Sequence, residues 1–314
     1  MKRFNNPVLI ALALAAALFA LGGVIQPGFA STALAINILR LAAFLSIIAA
    51  GQTLVIISGS EGIDLSVGAV VTLAAIIVFR VVDGRDALVL PALALAIIVG
   101  IVIGVLNGVG IAVLRVPPLV MTLGMTGVVQ GLILVVTQGR LEGAVAPAMA
   151  ALVSQPVIFG LPGVVLLWFA LGGVLWVVLE RTTYGKQLFA IGMNRTTAWL
   201  SGVHVNAVVI GTYALSGGLA ALGGFVLLSY TQNVFINLGA IYTLPSVAAV
   251  VVGGTVLAGG AGSYWGTMAG SLVLTLITSL LLARQMPESV RQIVYGVTLL
   301  ALLALYGRQR SLRQ

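Results

Sequence analysis

From Leu88 to Val113 the chain reads LVLPALALAIIVGIVIGVLNGVGIAV, a run with no charged side chain and with Asn107 as its one strongly polar group. At 1.5 Å per residue, a helix of that length crosses the ~30 Å hydrocarbon core of a bilayer with residues to spare. Comparable runs, punctuated by Pro and Gly, cover 8–25, 34–58, 64–80, 117–137, 162–179, 204–229, 241–258, 264–283 and 290–306. None alternates as a half-buried strand would, and none shows a heptad seam. The fold class is therefore all-α: a polytopic membrane protein of about ten transmembrane helices, forming one domain over 1–314.

Composition gives the same answer. Of the 314 residues, 61% are hydrophobic and 7% are charged, whereas a soluble domain needs roughly 25% charged residues to face water. The formal net charge of +8 follows topology rather than nucleic acid. With both termini in the cytoplasm, Lys2, Arg3, Arg115, Arg181, Lys186, Arg195, Arg308, Arg310 and Arg313 lie inside. Only Arg80, Arg85, Arg140, Arg284 and Arg291 lie outside, offset by Asp83, Asp86, Glu142 and Glu288. The run after Lys2 and Arg3 is long for a signal peptide and is followed by Gln26-Pro27-Gly28-Phe29 without a small-x-small exit, so it reads as a retained first span.

Cysteine is absent and His204 is the only histidine. Thiolate chemistry, disulfides and Cys- or His-based metal sites are thereby not expected. An intramembrane protease is not supported either. Leu215-Ser216-Gly217 is preceded by Ala214 where such a motif needs Gly, and His204 lies far off as a base.

Two connections carry the chemistry. Gly59-Ser60-Glu61-Gly62-Ile63-Asp64-Leu65-Ser66-Val67-Gly68 places two carboxylates between apolar runs. Asp64 is suited to cap the following helix, and irregular backbone at this depth also fits a water-filled path; both readings can hold. The connection 180–202, ERTTYGKQLFAIGMNRTTAWLSG, mixes charge with Leu188, Phe189, Ile191 and Trp199. Short helices broken near Gly192 fit it, either docking a partner or lying on lipid headgroups. The outer connection from Gln138 to Leu161, with Pro147 and Pro156, reads as an ordered cap or short helix. The glycine-rich stretch 251–262 lacks the Lys-Ser/Thr of a phosphate loop and reads as a packing element.

Polar groups within spans face protein or a cavity. They include Gln52, Thr53, Asn107, Thr122, Thr126, Gln130, Thr137, Ser216 and Thr231. Ion-coupled transport would place carboxylates inside the bundle, and only Glu61 and Asp64 come near it. An ion-coupled transporter or channel acting without an ATPase remains the rival to transport energised elsewhere.

Gly51-Gln52-Thr53-Leu54-Val55-Ile56-Ile57-Ser58 followed by Gly62-Ile63-Asp64-Leu65-Ser66-Val67-Gly68 resembles the ribose/galactose/xylose-type ABC importer permeases, within the branched-chain amino acid/sugar permease superfamily. Supporting stretches are Tyr184-Gly185 with Ala190-Ile191-Gly192-Met193-Asn194 and Ser201-Gly202-Val203, then Tyr213-Ala214-Leu215-Ser216-Gly217, then Ala248 to Gly260. The resemblance runs from about Gly28 to Tyr306. It implies a permease in the bacterial inner membrane, in contact with lipid, with no cofactor and no ATPase of its own. Two partner ATP-binding subunits would bind ATP-Mg. A second permease subunit, identical or related, would complete the path, and a periplasmic binding protein would deliver a sugar, polyol or nucleoside.

The resemblance also implies that 180–202 is the cytoplasmic coupling segment, matched at Gly185, Gly192, Asn194 and Gly202, with Leu188 and Phe189 supplying the contact to the ATPase. Gln52, Asp64, Ser66, Asn107 and Gln130 are the expected solute-pathway residues. Two departures bear on the solute: Ser60-Glu61 is added before Gly62-Ile63-Asp64, and Tyr242-Thr243-Leu244-Pro245-Ser246-Val247 stands where relatives carry an acidic residue and Asp-Ala-Ile.

Overall fold

The computed structural model describes residues 7–60, 62–287, 289–290, 293–294 and 296–297. Twelve α-helices follow in order among them: α1 (Pro7–Ile25), α2 (Thr32–Ile57), α3 (Val67–Val82), α4 (Val89–Ala112), α5 (Pro118–Thr137), α6 (Pro147–Ser154), α7 (Gly163–Arg181), α8 (Thr183–Met193), α9 (Arg195–Leu200), α10 (Val205–Thr231), α11 (Thr243–Val252) and α12 (Tyr264–Ala283). Among the described residues, α1, α2, α4, α5, α7, α10 and α12 are long and apolar enough to cross a membrane.

The spans expected at 64–80 and 241–258 appear as the shorter apolar helices α3 and α11. The first is shortened because the chain stays irregular until Ser66. The second ends at Val252 because Gly254, with φ +88°, turns the chain out of the helix. Most of the expected tenth span, 290–306, lies outside the described residues, as do Lys2, Arg3, Glu61, Arg291 and the C-terminal arginines.

At the centre is α2, buried at every position from Ala42 to Ile57. Such burial suits a helix without an amphipathic face, since it is enclosed by protein on all sides over this stretch. Against it runs α10, which packs on α4 at backbone distance. A Cβ on Gly104 would lie 2.1 Å from the Tyr213 carbonyl oxygen, and one on Gly217 would lie 2.0 Å from that of Gly100. In lipid, where helices gain little from hiding apolar surface, such close approach supplies the dispersion contact that holds a pair. At the periphery α1 rests on α12 through Ala11 and Ala15.

The connections sort to two ends as the alternation of spans requires. At one end Asp86 accepts from the Ala148 N–H (2.9 Å), and Arg80 donates to the Val136 carbonyl. That end carries the cap expected over 138–161, formed by α6 and a small antiparallel hairpin, β1 (Pro156–Ile158) with β2 (Leu161–Pro162). At the other end the Gly260 N–H donates to the Ile57 carbonyl (3.0 Å), and the end of α8 lies across both, with α9 following it.

Candidate functional site

After Ile57 the chain reverses through Gly59 (φ +73°) and Ser60 (φ +54°), and Gly62 lies against the last turn of α2. This return brings Asp64 back to the level of Gln52, about 7.5 Å inside the helix end at 1.5 Å per residue. There the Asp64 N–H donates to Gln52 Oε1 (3.2 Å). Asp64 Oδ1 accepts from both the N–H and the hydroxyl of Ser66, at 3.0 and 2.6 Å. Its Oδ2 accepts from the Ser216 hydroxyl on α10 at 2.8 Å. Asn107 Nδ2, from α4, donates to Ser66 Oγ at 2.9 Å.

From α5, Thr122 and Thr126 donate to the carbonyls of Ile63 and Leu65, each at 3.2 Å. Four helices thus fasten one irregular segment, and side chains supply partners for the Asp64 and Ser66 N–H groups and the Ile63 and Leu65 carbonyls, as burial in lipid demands. Ser216 reaches Asp64 because α2 and α10 touch at Gly51, where a Cβ would lie 2.5 Å from the Ser216 Cα.

Asp64 caps the Ser66 N–H directly ahead of α3. Ser66 itself makes no side-chain cap because its hydroxyl is committed to the carboxylate. Gln52, Asp64, Ser66 and Asn107 therefore form one buried cluster, each at most 1% exposed. Gln52 Nε2, Asn107 Oδ1 and the Tyr213 hydroxyl are buried without a protein partner.

Gln130 does not join them. It is exposed on the outer side of α5, on the face where Gly124, Gly127 and Gly131 have open space beside them.

At the end where α2 breaks, the 180–202 connection folds as α8 and α9. Thr182 caps α8 by accepting from the Gly185 N–H (3.2 Å), and Asn194 caps α9 by accepting from the Thr197 N–H (3.0 Å). Tyr184 shares a hydrogen bond with Thr212 of α10 (2.8 Å). Burial pushes the Tyr184 phenol up to about 12, so this clasp stays protonated at neutral pH.

Gly192 sits at a junction of backbones: a Cβ there would lie 2.0 Å from the Ile57 carbonyl oxygen and 2.3 Å from the Gly260 nitrogen. Gly185 packs on the end of α7, while Gly202 turns with φ +83°.

The apolar contact expected of Leu188 and Phe189 is placed differently. Leu188 is 0% exposed inside this chain's own core, and Phe189 is half-buried against it. A side chain already enclosed on all sides has no surface to offer. Met193, Trp199 and Leu200, at 72%, 64% and 73% exposure, are the free apolar groups of the segment.

Ser216 stands in the sequence only as one of several polar groups within spans, and its bond to Asp64 is visible only once Gly51 is seen to admit it. The threonines that bind backbone carbonyls carry no distinguishing signal in sequence.

A multi-pass bundle with a polar break clamped between its spans and a folded connection against that break defines a membrane transport permease. The chain belongs to the family described as "Branched-chain amino acid transport system / permease component", whose model matches residues 34–303. It is 32% identical to the autoinducer 2 import system permease protein LsrC of Yersinia enterocolitica over 316 residues, covering 99% of this chain and 86% of the relative. To the protein of the same name from Yersinia pseudotuberculosis it is 33% identical, covering 99% and 89%. To that of Salmonella paratyphi B it is 32% identical, covering 99% and 90%. No solved structure matches the chain.

The protein is accordingly the inner-membrane permease subunit of an ABC importer, and not an enzyme. ATP hydrolysis belongs to separate ATPase subunits, and a second permease and a substrate-binding protein belong to such a system.

Proposed function

We propose that this permease pairs with a second permease subunit, receives its solute from a periplasmic binding protein, and is driven by two ATPase subunits that hold ATP-Mg. The observation carrying the reading is the glycine junction. Gly192 of the cytoplasmic connection touches the carbonyl of Ile57, the last residue of α2. From there the chain runs directly into the clamped segment around Asp64. Movement of α8 and α9 by an ATPase is thereby passed, backbone to backbone, to the break in the membrane.

In this reading Met193, Trp199 and Leu200 form the coupling contact, and Gly185, Gly192, Asn194 and Gly202 shape the segment that presents it. Phe189 supports it from behind. Gln52, Asp64, Ser66 and Asn107 hold the inner pathway closed, and their unpartnered amide groups meet a polyhydroxylated solute when the helices part. Gln130, on the open glycine face of α5, belongs to the surface where the second permease subunit completes the passage.

The relatives named as autoinducer 2 import permeases match 99% of the chain, so a small polyhydroxylated solute of that kind is the first cargo to test. The experiment is uptake into vesicles holding both permease positions, the ATPases and the cognate binding protein. ATP-dependent accumulation of labelled autoinducer 2, competed weakly by ribose, is expected. Accumulation by this chain alone, driven by an ion gradient, would overturn the ABC reading.

A further inference from the structure

Beside the coupling segment lies a cavity of about 450 Å³, open to the end of the bundle that carries α8 and α9. That volume suits a small-molecule ligand. Two guanidinium groups line it, Arg115 from the turn between α4 and α5 and Arg195 from the start of α9. Pro118 begins α5 and Val205 begins α10, and both line the same space. The positive ends of a 20-residue and a 27-residue helix therefore converge on it.

No described carboxylate lines the cavity; Glu61, which follows Ser60 on its rim, lies outside the described residues. Arg195 Nε is buried without a hydrogen-bond partner, and burial lowers the Arg195 pKa from its ordinary value. The remaining wall offers the exposed ring of Trp199 and the polar side chains of Ser60, Thr196 and Asn206.

We propose that this cavity binds a phosphate monoester or diester, its phosphoryl oxygens held by Arg115 and Arg195 and its organic part lying among Ser60, Thr196 and Asn206. Paired guanidinium groups match phosphate by bidentate hydrogen bonding, and two helix N-termini add to the attraction. The hydroxyl and amide side chains of Ser60, Thr196 and Asn206 suit the O–H groups of a sugar or glycerol. The same phosphate chemistry reaches this end of the protein from two sources, a soluble sugar phosphate and the headgroup of an anionic lipid. The site is independent of which solute is carried across the membrane.

The assembled permease–ATPase complex is placed in nanodiscs of phosphatidylcholine and titrated with ribose 5-phosphate, with ribose as control. Saturable binding of the phosphate ester, none of ribose, and at least a tenfold loss of affinity in the double variant Arg115→Gln, Arg195→Gln are expected. Arg115→Gln alone, at an exposed turn position, keeps the measurement interpretable if the double variant fails to assemble; it weakens binding severalfold. In nanodiscs containing phosphatidylglycerol, native mass spectrometry distinguishes the sources. A retained phosphatidylglycerol that blocks ribose 5-phosphate and is lost in the variants assigns the site to lipid, and phosphate-ester binding unaffected by the lipid assigns it to a soluble ligand. The proposal is overturned if neither phosphate compound binds saturably, or if both bind the variants as they bind the unaltered complex.

Discussion

Asp64 draws its hydroxyl donors from two different elements, and the loss of each has a distinct consequence. Ser216 is the donor that crosses to α10, so Ser216→Ala removes an interhelical hydrogen bond while leaving the local Ser66 contacts in place. Within a membrane such a bond contributes about 1 kcal/mol. The thermal midpoint of the complex should fall slightly and assembly should survive. Asp64→Ala abolishes the acceptor for Ser66 N–H, Ser66 Oγ and Ser216 Oγ together. With several buried donors left unmet at about 1–3 kcal/mol each, the drop should be several times larger. An Asp64→Ala midpoint no lower than that of Ser216→Ala would mean that the carboxylate does not hold the break.

At the scale of elements, α8, α2 and the turn before α12 meet backbone on backbone at Gly192. A methyl group at Gly192 would meet backbone atoms of both neighbours rather than a flexible side chain, so Gly192→Ala must displace α8. Inserted protein with at least tenfold slower ATP-driven uptake is expected; uptake at the unaltered rate would remove the junction from the coupling route. Trp199→Ser with Leu200→Ser acts differently, since both side chains are exposed and leave the bundle intact. The double variant should purify normally but retain less ATPase on size exclusion.

This contrast shows what could be read in advance. Apolar run length revealed most of the spans, and a break near Gly192 was legible because glycine weakens a helix locally; it falls at Asn194, two residues on, where the asparagine caps α9. Leu188 and Trp199 are both large and apolar, and nothing in their order along the chain says that one points into the core and the other out of it. The close approach of α4 to α10 was hidden for a related reason. Gly100, Gly104 and Gly108 declare a small-residue stripe, but not which helix fills it.

At the scale of the whole molecule, the two ends of the bundle must face opposite compartments, and the sequence allows a direct check. Cysteine is absent, so single cysteines can be introduced without background. Trp199, beside the two pocket arginines, belongs to the end with the larger share of basic connections, which the Lys/Arg bias assigns to the cytoplasm. Glu142 lies in the connection to α6, at the end where Asp86 caps that helix. In intact cells, a membrane-impermeant maleimide should label Glu142→Cys readily and leave Trp199→Cys unmodified until the membrane is opened. The bound ATPase should then slow labelling of Trp199→Cys relative to the permease alone. Labelling of Trp199→Cys from outside would put the coupling segment on the wrong side of the membrane for any cytosolic ATPase. Both the junction at Gly192 and the docking surface would then lose their driving partner at once, because each depends on the same orientation.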